Sequence, residues 1–152
     1  IGNEDPAMKV STKGRYALRM MIDIAKNSTG EWISIKDIAR RQNISEKYLE
    51  QIVSPLTRGG LLLSSRGPSG GYMLSRPPKE YTAGEILRTI EGSMAPVACL
   101  DGMDNICEHQ ERCATLTFWQ GLYQVINEYI DAVTLQDLVD RDLCSDLPDF
   151  SI

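Results

Sequence analysis

Two short segments with helical periodicity, each beginning at a serine, are joined by a very short polar step in the first half of the chain. Ser34 begins the first segment and is followed three residues later by Asp37, the spacing of a helix capping box. Ser45 begins the second, in which apolar residues recur on one side of the helix. Two short helices with a tight turn between them and an outward polar face on the second are typical of a helix-turn-helix.

The flanking segments extend this motif on both sides. Before it, residues 11–25 carry apolar side chains around much of the helix circumference, which predicts a buried first helix. After it, the strand-like runs 61–65 and 72–75 flank a turn rich in glycine and proline. Such an arrangement is typical of a β-hairpin wing. We therefore expect residues 8–81 to form a winged helix-turn-helix.

The C-terminal half predicts a linking region followed by dimerisation helices. A capping box at Thr82 begins a fourth helix, and residues 93–113 show no periodicity, so we expect a linking helix and a cysteine-containing loop over 82–113. Apolar residues then recur at helical spacing along an apolar face too long for the front domain to cover alone. We expect a homodimer formed by helices within 114–141, a flexible tail over 142–152, and a mainly α fold.

The distribution of charge also divides the chain between residues 81 and 82. Residues 8–81 hold 13 lysines and arginines against 6 acidic residues, whereas residues 82–152 hold 3 against 13. The net charge of −5 therefore conceals a basic front half, which indicates contact with nucleic acid phosphates. Residues 1–7 differ in character and are expected to be a cloning remnant.

The polar face of the third helix is the expected reader of the major groove of double-stranded DNA. There Gln51 is suited to adenine, Glu50 to cytosine, and Lys47 to guanine or phosphate. Arg66 in the wing is expected to meet the minor groove or phosphates. Pro55 predicts a bend near Ser54 or a shortened helix. The candidates for phosphate contact, for each of which a merely solvated charge is the alternative, are Lys9, Lys13, Arg15, Arg40 and Arg41.

Cys99, Cys107 and Cys113 share one aperiodic segment. Clustered thiolates in a chain without a secretion signal favour metal ligation or redox chemistry over structural disulfides. The spacing of the three cysteines is compatible with an iron–sulfur cluster, a zinc ion, a thiol switch or inert cysteines. Cys144 lies in the tail, and we expect it to have no role in this site. His109 is a possible fourth ligand. The oxygen donors that compete with it are Asp101, Asp104, Glu108 and Glu111.

Other function classes lack their signatures. The sequence has no Ser-His-Asp arrangement, no phosphate-cradling glycine loop and no isolated carboxylate pair, so we expect no enzyme. It has neither a signal peptide nor an apolar run long enough for a membrane span, so we expect a cytoplasmic protein that does not contact membranes.

Segments 8–19, 44–51 and 66–72, together with the three-cysteine loop, closely resemble the Rrf2 family of winged-helix regulators, from residue 8 to about residue 140. The resemblance is greatest to the branch that regulates iron–sulfur cluster biogenesis. It implies a homodimer on palindromic promoter operators and a cluster, [2Fe–2S] rather than [4Fe–4S], on the three cysteines. By position it makes Lys47, Glu50 and Gln51 the base readers, and Arg66 the minor-groove residue of the wing.

Three positions depart from that pattern, one of which is Pro55 in the third helix. Leu116 stands where the iron–sulfur branch has a ligating histidine, which leaves the fourth ligand open. Arg15 stands where the nitric-oxide-sensing branch has an acidic residue, which disfavours that branch. The alternative within the family is a cluster-free repressor. Such a repressor would be controlled by thiol oxidation or by a partner protein, as in the members that regulate cysteine metabolism.

Overall fold

The structure is a computed structural model that describes residues 10–100 and 114–145. Within these ranges, no helix is long and apolar enough to cross a membrane. The mainly helical winged helix-turn-helix predicted from the sequence is confirmed. The helices are α1 (Thr12–Asn27), α2 (Ile35–Gln42), α3 (Glu46–Arg58), α4 (Ala83–Glu91), α5 (Leu116–Ala132) and α6 (Leu135–Ser145), with short 3-10 turns at Pro78–Glu80 and Ala98–Leu100. The strands are β1 (Leu62–Ser65) and β2 (Gly71–Leu74).

Side-chain caps define where α2 and α3 begin. These two helices and the wing are called the reading head below. The hydroxyl groups of Ser34 and Ser45 accept hydrogen bonds from the backbone N–H three residues onward, each at 3.2 Å. Between them, α2 ends at Asn43 in the left-handed conformation with φ 53°, a backbone region that asparagine tolerates. The turn is therefore short and locally encoded, as the sequence predicts.

α1 lies at the centre of the fold. Ala17, Met20, Met21 and Ile24 are fully buried, and the helix contacts α2, α4 and α6. The helix-turn-helix closes this core with the fully buried side chains Ile38, Leu49, Ile52 and Leu56. The prediction of a buried first helix is confirmed, and the buried side of α3 fixes which of its faces is presented to solvent.

The wing is an antiparallel hairpin whose register runs from Leu62↔Leu74 to Ser65↔Gly71. A third segment joins it, because Ile33 and Tyr72 exchange two backbone hydrogen bonds of 3.0 and 2.8 Å. Gly71 permits this approach: its φ is 153°, and a Cβ there would collide with the carbonyl group of Ile33. The hairpin is thus tied to the connection between α1 and α2.

α3 corrects one expectation from the sequence. The helix continues through Pro55 to Arg58, so the expectation of a shortened helix is wrong. Proline removes one backbone donor, but Ile52 and Leu56 are fully buried on either side of it, and burial of these side chains outweighs that loss. Gly59 then donates its N–H to the Pro55 carbonyl group at 2.9 Å and closes the helix end.

The predicted boundary of the C-terminal tail also differs. α6 continues to Ser145, so residues 142–145 of the expected flexible tail are helical. An ion pair of 2.7 Å between Lys26 and Asp142 ties this last part of α6 to α1. The remaining tail residues, 146–152, and the expected remnant, 1–7, lie outside the described residues.

Candidate DNA interface and cysteine segment

The polar face of α3 is exposed at each predicted reader. Lys47, Glu50 and Gln51 are all solvent-exposed, while Leu49 and Ile52 on the other face are fully buried. The ring of the half-buried Tyr48 packs edge-on against Tyr16 of α1, with 5.6 Å between the ring centroids. α3 is therefore packed against the core on one face and presents the three predicted readers to solvent, as the proposed entry into a major groove requires.

Arg66 lies at the start of the wing turn and is exposed. The turn closes through a 3.0 Å hydrogen bond from the N–H of Gly70 to the carbonyl group of Gly67, whose φ is 103°. Between the wing and the C-terminal part of α3 lies an open groove of about 420 Å³, lined in part by Glu50 and Ser64. Wing and reading helix thus border one continuous surface.

The start of α1 carries two exposed basic residues, which belong to the basic half of the chain, residues 8–81. Lys13 and Arg15 lie in its first turn and are exposed, whereas Lys9 lies outside the described residues. The backbone N–H and the hydroxyl group of Ser11 donate to Oε1 of Glu91 at 2.8 and 2.6 Å. The last residue of α4 therefore holds the start of α1.

Arg40 and Arg41, which the sequence treats alike, have different environments. The side chain of Arg40 is 76% exposed and makes one contact of 3.2 Å with Asp37 on the same helix. Arg41 makes three hydrogen bonds of 2.7 to 3.2 Å to Asp23, a carboxylate only 3% exposed that also accepts from Gln42 at 2.9 Å. The hydrogen bond to Asp23 raises the pKa of Arg41 above its ordinary value.

This ion pair fastens α2 to α1, which favours a structural role for Arg41 and leaves Arg40 available to a phosphate. Asp23 was not predicted from the sequence. The available signal was a single acidic residue within the apolar run of α1, which requires a partner when it is buried.

α5 lies beside α4 and is fixed to it near its C-terminal end. Arg88 of α4 donates to Asp131 at 2.7 and 2.9 Å and to Asn127 at 2.8 Å. The hydrogen bonds between Arg88 and Asp131 raise the pKa of Arg88 and lower the pKa of Asp131. The N–H of Ala83 also donates to the carbonyl group of Val133 at 2.8 Å, so the start of α4 meets the end of α5.

The face of α5 that turns away from α4 is apolar and exposed. Phe118, Val125 and Tyr129 are between 61% and 64% exposed, at spacings that place them on one stripe. No residue of α5 is buried within the described part of the chain. A helix of this length with one uncovered apolar stripe is typical of a subunit interface.

The structure describes only part of the cysteine segment. Cys99 is half-buried in the 3-10 turn Ala98–Leu100 and forms no disulfide bond within the described residues. Cys144 lies in the last turn of α6. Leu116, at the position of the ligating histidine in the resemblance, is the half-buried first residue of α5. No group of three potential ligands suited to a metal ion occurs within 10–100 and 114–145. The candidate ligands outside these ranges are Cys107, Cys113 and His109, with Asp101, Asp104, Glu108 and Glu111.

Comparison with known proteins decides the family. Residues 10–141 match the family model Rrf2, described as an iron-dependent transcriptional regulator. The chain belongs to the Rrf2 family. This confirms the resemblance found in the sequence and identifies the chain as a DNA-binding transcriptional regulator.

Relatives within the Rrf2 family carry two different names. The chain is 44% identical to the HTH-type transcriptional regulator CymR of Bacillus subtilis, over 86% of this chain and 89% of that protein. It is 36% identical to the regulator IscR of Pectobacterium carotovorum, over 93% and 85%. The solved structure of CymR, titled the global cysteine regulator of B. subtilis, aligns with a TM-score of 0.71 at 41% identity, covering 88% of this chain and 97% of that one.

Proposed function

We propose that this Rrf2 protein is a cytoplasmic, homodimeric regulator and not an enzyme. It binds palindromic promoter DNA and changes its operator choice with the iron–sulfur state of Cys99, Cys107 and Cys113, so controlling genes of iron–sulfur cluster biogenesis. One observation carries the proposal: the segment that holds these cysteines joins α4 to α5, the helix with the exposed apolar stripe.

Dimerisation through α5 supplies the geometry that DNA needs. Burial of Phe118, Val125 and Tyr129 against the same face of a second copy would remove the exposed stripe and relate two reading heads by a two-fold axis. Two such heads meet successive major grooves only when they are about 34 Å apart. The angle between α5 and the reading head therefore determines which operators fit.

The cysteine segment is placed where it can set that angle. α4 and α5 are already bonded through Arg88 and Asp131, near the C-terminal end of α5. Residues 92–115 connect the C-terminal end of α4 to the N-terminal end of α5, the end of α5 far from Asp131. Ligation of the cysteines would restrict this connection and thereby the N-terminal half of α5. A difference in operator affinity between the two states then follows from a difference in geometry.

The donor set fits a cluster in type but is incomplete. Three thiolates are the ligands that iron–sulfur clusters prefer, and a bound cluster supplies a group sensitive to iron supply and to oxidation. Leu116 offers no donor atom, so the fourth ligand must come from another residue, with His109 the nitrogen donor of the same segment.

A second candidate function is a cluster-free regulator in which the three thiols are oxidised reversibly or a partner protein controls DNA binding. Two observations favour it: the missing donor at Leu116, and 44% identity to a protein named CymR, whose structure is titled a global cysteine regulator. It predicts the same dimer and the same readers, with iron absent.

Anaerobic purification with iron and sulfide assays and an absorption spectrum separates the two candidates. The proposal predicts coloured protein with iron and sulfide in comparable amounts, and loss of both in a variant with Cys99, Cys107 and Cys113 changed to alanine. The variant Cys144→Ala is the matched control and is expected to keep the spectrum. Colourless, iron-free protein after reconstitution contradicts the cluster and favours the second candidate.

A further inference from the structure

Tyr81 lies outside every motif found in the sequence, yet its hydroxyl group makes hydrogen bonds to three backbone groups. The residue is fully buried, just after the 3-10 turn Pro78–Glu80 that follows the wing. Its hydroxyl group donates to the carbonyl group of Leu61 at 2.6 Å. The same oxygen accepts from the backbone N–H groups of Ser75 at 2.9 Å and Arg76 at 3.1 Å.

These partners flank the two strands of the wing, at the end opposite to its tip. Leu61 directly precedes β1, and Ser75 and Arg76 directly follow β2. One hydroxyl group therefore bridges the entry and the exit of the hairpin. With one proton donated and two lone pairs occupied, the hydrogen-bonding capacity of this oxygen is fully used. Ser75 reinforces the bridge, since its hydroxyl group lies 3.0 Å from that of Tyr81 and donates to the Gly60 carbonyl group at 2.7 Å.

Tyr81 is itself fixed to the rest of the fold. Its carbonyl group accepts from the N–H of Leu135 at 3.0 Å, at the junction of α5 and α6. The guanidinium group of Arg76 stacks 4.4 Å above its ring and also binds Glu85 of α4. Contacts with α4 and with the end of α5 therefore hold the base of the wing in place.

We propose that Tyr81 is a positioning residue for DNA binding: its hydroxyl group holds the base of the wing and, together with the Ile33–Tyr72 backbone pair nearer the tip, sets where Arg66 meets DNA. The inference rests on the proposed contact of Arg66 with DNA. Arg66 lies about 14 Å from the hairpin base, taking roughly 3.4 Å per residue along β1. A rotation of about 10° at the base therefore moves it by about 2 Å, enough to break a hydrogen bond.

A double-mutant cycle between Tyr81→Phe and Arg66→Ala tests the inference. Tyr81→Phe keeps the buried ring and removes only the hydroxyl group. Affinity is measured by fluorescence anisotropy over a range of salt concentrations, with the full chain and the tightest duplex recovered by selection from random-sequence DNA. In the otherwise unchanged protein, Arg66→Ala is expected to weaken binding about tenfold and to reduce the salt slope by about one. In the Tyr81→Phe background, it is expected to change binding less than about twofold.

The control background is Ile86→Val, a conservative change at a fully buried residue of the same core that touches no hydrogen bond. There Arg66→Ala is expected to keep its tenfold effect and its change in salt slope, since lower stability alone does not move the wing. If Arg66→Ala weakens binding equally in the unchanged and Tyr81→Phe proteins, the positioning role is wrong while the wing contact stands. If Arg66→Ala has no effect in the unchanged protein, the wing contact itself is wrong, and the inference falls with it.

A second variant keeps the test decisive if Tyr81→Phe does not fold. Ser75→Ala retains the tyrosine and removes the hydroxyl group that bonds to Gly60 and contacts Tyr81. In this background, the effect of Arg66→Ala is expected to fall from about tenfold to about threefold. An undiminished tenfold effect contradicts the inference.

Discussion

The adjacent arginines of α2 allow a matched test of the ion pair that joins the reading head to α1. Arg41→Ala removes three hydrogen bonds to Asp23 and leaves that carboxylate, 3% exposed, with Gln42 as its described partner. Breaking a fully buried pair costs about 3–5 kcal/mol. Because the side chain of Arg41 is 32% exposed, water can reach part of the vacated space, and we expect a loss of about 2–3 kcal/mol.

Arg40→Ala is the control for helix position and charge, since both arginines lie in the last turn of α2. Its side chain is 76% exposed, so its pair with Asp37 contributes less than about 0.5 kcal/mol. In a chain of this size, Arg41→Ala is expected to lower the unfolding midpoint by about 5–10 °C, and Arg40→Ala by about 1–2 °C. Calorimetry at equal protein concentration measures both, because dimerisation makes the midpoint depend on concentration. Equal shifts for the two variants would refute the reasoning.

Three further predictions follow from the contacts of α4 and α5. Arg88 lowers the pKa of Asp131 below its ordinary value of 3.8. The ionised carboxylate therefore stabilises the folded state above pH 3.8, and this stabilisation is lost as the pH falls through the lowered pKa of the folded state. Asp131→Asn is thus expected to be less stable by under about 1 kcal/mol near neutral pH, with the difference vanishing in acid; a difference independent of pH in thermal unfolding contradicts this. Val125→Asp is expected to yield monomers in analytical ultracentrifugation at concentrations where the control Thr117→Asp is dimeric; dimers in both variants would locate the interface elsewhere. Thr82→Ala removes the cap at the start of α4 and is expected to cost about 1 kcal/mol in urea unfolding, whereas Thr82→Ser keeps the hydroxyl group and its stability.

The sequence predicted the elements of the fold because each carries a local signal. Ser34, Ser45 and Thr82 cap helices at the residues where the capping pattern placed them. The wing was recognisable because glycine and proline interrupt two strand-like runs. The readers on α3 were predicted because helical periodicity separates buried Leu49 from exposed Glu50.

Interactions between residues distant in the chain were not predictable in the same way. The pairing of Asp23 with Arg41 and the bridge from Tyr81 to Leu61 depend on how helices and strands pack, which periodicity does not describe. The extension of α3 past Pro55 has the same cause, because buried side chains on either side outweigh a local preference. The ligand roles of Cys99, Cys107 and Cys113 remain predictions from thiol chemistry and resemblance.

Selection of operators from random-sequence DNA, performed anaerobically with the cluster-loaded protein and with the variant in which Cys99, Cys107 and Cys113 are alanine, tests the central claim most directly. The proposal predicts two distinguishable sets of recovered sequences, both palindromic, with half-site centres about one helical turn or a multiple of it apart. It also predicts that each protein form binds its own set more tightly than the other set. Recovery of the same sequences with the same affinities by both forms would contradict control of operator choice by the cysteines.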